Sequence, residues 1–303
     1  MHSSRAGALA AIPGVWGARI SWLVVGVAGI WSIGDALDGR STAVRATVAA
    51  ACWLVWGTGL VALMVPSPLG LTISRMAVAL AVGASIASWV AGADAAPGAA
   101  FVACALVSGL LIGGAEFGQR CVQASAYGDE DRFLLRPPAA FLPPMALAVA
   151  LWAAAVIAAP LLLATGQWIP GVVAAAVGGA LTIGLVPRFN ILALRWLVLV
   201  PAGLVVHDPV VLGETLMVGR ANIDGIELAL ADTEAADLTG PAAGHAVEIS
   251  MMSMTDALLA PTKTAPRGTA LHVRSFIVAP TRPGAVLRAS QHRFQRAIPP
   301  PST

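Results

Sequence analysis

Apolar runs of membrane-spanning length dominate the first 190 residues of the chain. Six such runs follow one another, separated by polar breaks: Ile20–Gly34, Ala46–Val65, Met76–Ala93, Gly98–Gly114, Met145–Ala164 and Ile169–Val186. Each run holds about 15 to 20 residues, which as a helix can cross a hydrocarbon core of about 30 Å. None alternates as a membrane β-strand does. The runs therefore predict an α-helical integral membrane bundle of about six transmembrane helices.

The composition supports a lipid-facing surface. Only 11% of the residues are charged, against about 25% in a typical soluble domain, and the mean hydropathy is +0.80. The formal net charge of +2 gives no field that would attract nucleic acid. The three cysteines are odd in number and lack metal-ligand spacing, so they predict neither a disulfide framework nor a zinc site.

The arginines predict the orientation of the bundle. With the N-terminus inside, two arginines, Arg40 and Arg45, lie outside, and eight lie in cytoplasmic segments up to Arg195. Because positive residues favour the cytoplasmic side, we expect an inner-membrane protein with residues 1–19 and the C-terminus in the cytoplasm. We expect the first run to be an uncleaved anchor and not a signal peptide, because further spans follow it and Arg19 directly precedes it.

The chain changes character between Pro187 and Asp208. The uncharged run Trp196–Val206 would reach only about 16 Å as a helix, which is too short to cross the membrane. It contains Pro201-Ala202-Gly203 between two β-branched runs, and this is turn chemistry. We predict a β-hairpin here, with a seventh span as the alternative.

The second half predicts a small β-rich cytoplasmic domain over residues 189–298, after a transmembrane domain over residues 20–188. Its strand-like segments are Val210–Val218, Ile223–Leu230, His245–Met252 and Leu271–Ala279. Thr281–Gly284 reads as a turn before Ala285–Arg288, and residues 299–303 are predicted to be disordered. The earlier polar stretch, including Asp129–Arg132, is expected to be a solvated cytoplasmic loop.

The region Arg195–Asp208, with Val210–Val218 after it, resembles the opening hairpin of bacterial PH-like domains attached to membrane helices. The overall layout is similar to uncharacterised multi-pass membrane proteins of actinobacteria. The resemblance implies a cytoplasmic module that binds a partner or a lipid surface. It carries over no catalytic residues.

The end of the chain is basic. No acidic residue follows Asp256, and a cation near an anionic leaflet gains about 1 kcal/mol. A solvated face, balanced by acidic residues of the same domain, is the alternative. The candidates for contact with anionic lipid or a protein partner are Arg267, Arg274, Arg282, Arg288, Arg293 and Arg296.

Small residues within the spans predict close helix packing, in a compact bundle or a homo-oligomer. The positions are Gly109, Gly113, Gly178 and Gly179. Glu116, after the fourth run, is the one carboxylate nominated for function, with an interfacial role as the alternative. Four tryptophans fall at predicted membrane interfaces, where an aromatic belt would place them: Trp16, Trp22, Trp168 and Trp196.

The sequence contains no nucleotide-binding, hydrolase, zinc-protease or kinase signature. Five residues of the second half that could ligate a metal lack ligand spacing, so we predict no metal or cofactor: His207, Asp208, Glu214, His245 and Glu248. We therefore expect a non-enzymatic scaffold whose C-terminal domain binds a protein partner or the inner leaflet. The alternative is an oligomeric transporter or channel for a small solute or lipid. An intramembrane enzyme would have only Glu116, Asp35 and Asp38, without a nucleophile and base.

Overall fold

The structure is a computed structural model that describes residues 13–261 and 265–294. Contacts divide the chain into two units. The first, which we call the helical unit, comprises the chain up to Cys121 and Pro143–Asn190. The second, the β unit, comprises Val122–Leu142 and the chain from Ile191 onwards. We expected the division at residue 188, so the structure differs mainly by adding a segment from between the fourth and fifth spans to the β unit.

Eight helices are described, and six of them are long and apolar enough to cross a membrane, in agreement with the six apolar runs of the sequence. In chain order the helices of the first 193 residues are α1 (Pro13–Ala36), α2 (Thr42–Met64), α3 (Pro68–Val90), α4 (Ala95–Gly113), the short α5 (Ala115–Gln123), α6 (Leu142–Ala164) and α7 (Trp168–Ala193). Several helices begin before their apolar run, because residues that favour the start of a helix precede the run. Ser67, for example, accepts the N–H of Gly70 at 2.9 Å and Pro68 opens α3.

The last of these six helices is longer than its apolar run. The run ends at Val186, but α7 continues through Pro187 to Ala193. Membrane helices tolerate proline where neighbouring groups satisfy the freed backbone. Pro160 lies inside α6 in the same way. The sequence boundary at residue 188 therefore falls within a helix.

Polar groups join the helices of the helical unit. The indole Nε1 of Trp22 donates to the carbonyl oxygen of Trp56 at 2.9 Å, and Nε1 of Trp56 donates to the carbonyl oxygen of Trp22 at 3.1 Å. This reciprocal pair links α1 to α2. Trp22 is only 1% exposed, so its assignment to an aromatic belt is wrong. The belt was inferred from position along the span, which does not show the direction of the side chain.

Glycines make room for the two indoles. A Cβ added at Gly26 would lie 2.5 Å from Nε1 of Trp56, and one at Gly59 would lie 2.5 Å from Cζ2 of Trp22. Each ring therefore occupies the space over a glycine of the other helix. A hydrogen bond of 2.8 Å between the hydroxyls of Ser32 and Ser88 links α1 to α3.

The β unit begins with a four-stranded antiparallel sheet in the order β1-β2-β3-β4. Its strands are β1 (Asp131–Leu134), β2 (Trp196–Val200), β3 (Gly203–His207) and β4 (Leu216–Gly219). The predicted hairpin is confirmed as β2 and β3, and the seventh span is wrong. Gly203 has φ +151°, and a Cβ there would meet the carbonyl oxygen of Val218 at 2.1 Å, so the close approach of β4 requires glycine.

The second sheet has the order β5-β7-β8-β6, in which only the β6–β8 pairing is parallel. Its strands are β5 (Ile223–Leu228), β6 (Ala236–Asp237), β7 (Val247–Leu259) and β8 (Thr269–Val278), and α8 (Pro283–Phe294) follows them. The segment Ala285–Arg288, expected to follow a turn, therefore belongs to a helix that Pro283 opens. Residues 299–303 lie outside the described residues.

Side chains from both sheets and from α8 form one apolar core. Examples are Phe133 of β1, Leu197 of β2, Ile249 of β7, Phe276 of β8 and Val286 of α8, all at most 5% exposed. On β2 and β3 these core residues alternate with side chains that point to the opposite face. The first sheet therefore has a core face and an outer face.

Strand β1 comes from a part of the chain that we expected to be a solvated loop. It precedes α6, whereas its partner β2 follows α7. The pairing aligns Arg132 with Val198 and Leu134 with Trp196. The loop prediction is wrong for Asp131 and Arg132, because the partner strand lies more than 60 residues away and local sequence cannot reveal it. The hairpin of α6 and α7 is thus an insertion between two paired strands.

Candidate functional site

The arginines nominated for lipid or partner contact are dispersed over the β unit. Arg267, in the turn between β7 and β8, Arg274, on β8, and Arg288, on α8, are exposed. Arg282 precedes α8 and is half-buried. Arg296 lies outside the described residues. These four described side chains therefore lie at four different places: the β7–β8 turn, β8, the segment before α8, and α8.

The remaining nominated arginine, Arg293, binds acidic groups of its own chain. Its Nε donates to Asp131 Oδ2 at 2.8 Å, and its Nη2 and Nη1 donate to Asp129 Oδ1 at 3.1 Å and to the Asp129 carbonyl at 3.0 Å. Burial lowers the pKa of Arg293, but hydrogen bonds to the two aspartates and their charges outweigh burial, and the pKa is raised overall. Arg293 therefore fastens α8 to the segment around β1.

Glu116 lies in the first turn of α5 and is exposed. The partial positive charge of a helix N-terminus stabilises a carboxylate at this position. Its side chain packs on Gly14, where an added Cβ would lie 2.8 Å from Glu116 Cδ. Neither of the two cavities described below has Glu116 in its lining.

Two of the four nominated glycines face neighbouring helices. A Cβ at Gly109 would lie 3.2 Å from a methyl carbon of α3, and a Cβ at Gly178 would lie 3.3 Å from a methyl carbon of α6. Gly113 and Gly179 have nothing within 4 Å of such a Cβ. Close helix approach therefore accounts for Gly109 and Gly178.

The acidic and histidine residues of the β unit are not gathered into a ligand set. Across residues 13–261 and 265–294, no group of three His, Cys, Asp or Glu side chains could hold a metal ion. Asp208 instead forms a bidentate ion pair with Arg195: Nε donates to Oδ1 at 2.8 Å and Nη2 donates to Oδ2 at 2.7 Å. Both side chains are at most 1% exposed.

The buried ion pair has further hydrogen-bond partners. Arg195 Nη1 donates to the carbonyl of Arg136 at 2.5 Å, and Nη2 donates to the carbonyl of Thr239 at 3.1 Å. Asp208 Oδ1 accepts the N–H groups of Val210 and Val211 at 3.1 and 3.2 Å. This turn keeps Val210 and Val211 out of the strand expected over Val210–Val218, and β4 begins at Leu216. The pair organises the loop after β3.

The outer face of the first sheet carries a pocket of about 250 Å³ that the sequence did not predict. Arg132 of β1, Trp196 of β2 and His207 of β3 contribute to it, and Thr215 closes it before β4. We call it the sheet pocket, and its lining is Glu130, Arg132, Trp196, Val198, Val200, Val205, His207 and Thr215.

Trp196 lies between a cation and an imidazole in the sheet pocket. Its ring centroid is 5.3 Å from that of His207, with the rings stacked, and Arg132 Cζ is 5.0 Å from the Trp196 ring. Nη2 of Arg132 also lies 2.8 Å from Glu130 Oε1. Trp196 and His207 are direct partners in the sheet register. The register of the predicted β2–β3 hairpin could therefore have paired these two residues from the sequence alone.

His207 sits in a partly dehydrated environment. Burial lowers the pKa of its imidazole, the nearby charge of Asp208 raises it, and that of Arg132 lowers it, so that the pKa is lowered overall. Nδ1 lies 3.1 Å from the hydroxyl of Thr215. The ring is therefore neutral near pH 7, and it presents a polar edge to the pocket.

A larger cavity, of about 510 Å³, lies within the helical unit. Its walls come from α1, α2, α3, α4 and α6 and are mostly apolar. Arg40, just after α1, is the one charged side chain among its described lining residues. Among the lining residues, Trp22 and Trp56 lie near the middle of α1 and α2, far from Arg40. We call this space the bundle cavity.

No protein-family model, curated protein or solved structure matches this chain.

Proposed function

We propose that this chain is a six-span inner-membrane protein with both termini and the β unit in the cytoplasm. In this proposal it acts without catalysis, as an interaction protein that holds a protein partner at the sheet pocket. The observation that carries the proposal is the half-buried Trp196, flanked by Arg132 and His207 on the outer face of a sheet.

The pairing of β1 with β2 supports a six-span topology. The two strands are adjacent in one sheet, so both must lie on the same side of a membrane. The chain between them contains α6 and α7, which give an even number of crossings. Arginines favour the cytoplasm for this side, because Arg120, Arg132 and Arg136 lie in the connection between α4 and α6.

The chemistry of the sheet pocket suits a protein side chain. Trp and Arg are among the residues most enriched at the energetic centres of protein interfaces. The pocket volume of about 250 Å³ is below the range of about 300–1,000 Å³ typical of small-molecule sites. Valines supply an apolar wall, while His207, Thr215 and Glu130 supply polar groups. One apolar or aromatic anchor of a partner, with a hydrogen-bonding group beside it, would fit this lining.

The inner-leaflet alternative keeps less support. Arg293 is bound to Asp131 and Asp129, which leaves Arg267, Arg274 and Arg288 as the exposed members of the described set. The resemblance of the hairpin to PH-like domains is compatible with a partner-binding module. One antiparallel sheet and one mixed sheet, followed by one helix, are compatible with it as well.

Site-specific photo-crosslinking tests the proposal. A photoactivatable amino acid replaces Thr215, which is exposed at the edge of the sheet pocket, in the full chain in its native membrane. Leu230, which is 72% exposed outside the pocket, provides the control position. We expect an adduct of defined mass from Thr215 and not from Leu230, and Trp196→Ala should diminish it.

The proposal fails if both positions give the same adducts or if Trp196→Ala leaves the Thr215 adduct unchanged. A lipid adduct at Thr215 would transfer the support to the inner-leaflet alternative. The second class, a transporter or channel, is not supported by Glu116, which is exposed and outside both cavities.

A further inference from the structure

We propose that the bundle cavity binds one acyl chain of an anionic phospholipid, with the lipid head group at Arg40. This site lies in the helical unit and does not depend on the partner-binding role of the β unit. The size of the cavity, its depth, its apolar lining and the position of its one charge support this assignment.

The dimensions of the bundle cavity fit a lipid chain. Its volume of about 510 Å³ lies within the range of about 300–1,000 Å³ that holds small ligands. On α1 its lining extends from Trp22 to Ala36, which corresponds to roughly 21 Å of helix. One leaflet contributes about 15 Å of hydrocarbon, half of a core of about 30 Å. The cavity is therefore deep enough for a chain of one leaflet.

The cavity-lining residues of the other helices lie towards the same end of the helical unit as Arg40. Successive spans run in opposite senses, so the C-terminal end of α3 and the N-terminal end of α2 lie on the side of Arg40. The lining takes Leu80–Ala91 from α3 and Val44–Trp56 from α2, and from α6 it takes the half that ends near Thr165. These stretches start at the end of the bundle near Arg40 and reach slightly beyond the midpoints of α1 and α2. The cavity thus spans one leaflet and does not cross the whole membrane.

The deep end of the bundle cavity is apolar although it contains two indoles. The N–H groups of Trp22 and Trp56 are both bound by backbone carbonyls of the facing helix. The hydroxyl of Ser88, also in the lining, is bound to Ser32 and to the carbonyl of Ser85. These polar groups therefore need no partner from a ligand, and a hydrocarbon chain meets no unsatisfied group.

Arg40 gives the end of the cavity near the α1–α2 connection a preference for an anion. It is exposed and lies between α1 and α2. Asp35 and Asp38 are near in sequence but are not in the described lining, so the charge that faces the cavity is positive. A cation beside a strongly apolar cavity complements a lipid whose head group carries a net negative charge. A zwitterionic lipid would lose this complementarity.

Native cysteines provide the test. Cys52 lines the bundle cavity, whereas Cys104 on α4 does not, and both are half-buried. The purified full chain in detergent would be treated with a lipid-soluble maleimide, after addition of phosphatidylglycerol or phosphatidylcholine with identical chains. We expect phosphatidylglycerol to slow labelling of Cys52 while labelling of Cys104 stays constant.

Arg40→Ala should remove the difference between the two lipids, and Arg45→Ala should not, because Arg45 is exposed on the same side but outside the cavity lining. We expect phosphatidylglycerol to be preferred about fivefold at half-maximal protection, the ratio given by about 1 kcal/mol for one cation near anionic lipid. Ala84→Phe, which places a ring in the cavity lining, should abolish protection by either lipid.

Three results would overturn the proposal. Equal protection by the two lipids would remove the head-group assignment to Arg40. Stronger protection by free palmitate than by phosphatidylglycerol would assign the site to a fatty acid. Protection of Cys52 that rises with protein concentration and not with lipid would mean that a second copy of the chain fills the cavity.

Discussion

The guanidinium of Arg293, near the end of α8, holds the carboxylate of Asp131, at the start of β1, at 2.8 Å across 162 residues of sequence. The contact brings together the segment between α4 and α6 and the last described helix. Removal of this clamp should weaken the β unit.

Arg293→Ala is expected to lower the free energy of unfolding by about 1 kcal/mol, because both aspartates are partly exposed and water screens the pair. Thermal unfolding of the purified full chain measures the effect, with proteolysis of the β unit as the readout of unfolding. The control is Arg288→Ala, an exposed residue of the same helix. Equal melting temperatures for the two variants would contradict a stabilising role for Arg293.

The buried pair of Arg195 and Asp208 should matter more. Arg195→Met leaves the Asp208 carboxylate buried without its cation, and such a change costs about 3–5 kcal/mol. Adding Asp208→Asn removes the charge but keeps an oxygen for the N–H groups of Val210 and Val211, so the double variant should be more stable than Arg195→Met. Thermal unfolding of both variants, with Arg274→Met as the exposed control, decides between this expectation and simple additivity.

The hairpin of β2 and β3 depends on one glycine. Gly203→Ala introduces a Cβ into a backbone with φ +151° and places it 2.1 Å from the Val218 carbonyl. We expect a loss of more than about 1 kcal/mol, since an alanine there must shift the backbone. Gly219→Ala is the matched control, because nothing lies within 4 Å of its added Cβ. The expectation fails if both variants unfold at the same temperature.

The sequence predicts features that depend on neighbouring residues, but not features that depend on contacts between residues far apart in the chain. The β2–β3 hairpin is encoded locally by Pro201-Ala202-Gly203, and sequence identified it. Strand β1 is short and pairs with a strand beyond two spanning helices, so its sequence gave no signal. Trp22 was misplaced because its burial depends on helix rotation and on Gly59 of another helix. The sheet pocket needs three strands together, and only the Trp196–His207 pair was within reach of the sequence.

The lowered pKa of His207 predicts acid sensitivity of the β unit. The unfolded imidazole has a pKa of about 6.5, and burial places the folded value below it. Between the two values the unfolded chain binds more protons, so stability is present above about pH 6.5 and is lost as the pH falls towards the folded pKa. His207→Gln should reduce the decrease in melting temperature between pH 7.5 and pH 5, values chosen to bracket the unfolded pKa.

The control for this pH series is His292→Gln, an exposed position of α8. If His207→Gln and the unmodified chain lose the same stability over this interval, the titration of His207 does not govern the acid sensitivity. A similar effect from His292→Gln would place the sensitivity elsewhere in the β unit.

The topology that underlies the proposed function can be measured directly with a membrane-impermeant maleimide on intact cells. In a background without Cys52, Cys104 and Cys121, single cysteines would replace exposed residues in three connections: Tyr127 before β1, Gln167 between α6 and α7, and Leu230 after β5. We predict that Gln167→Cys is labelled from outside, whereas Tyr127→Cys and Leu230→Cys are labelled only after lysis. Labelling of Tyr127→Cys or Leu230→Cys in intact cells would contradict a cytoplasmic β unit.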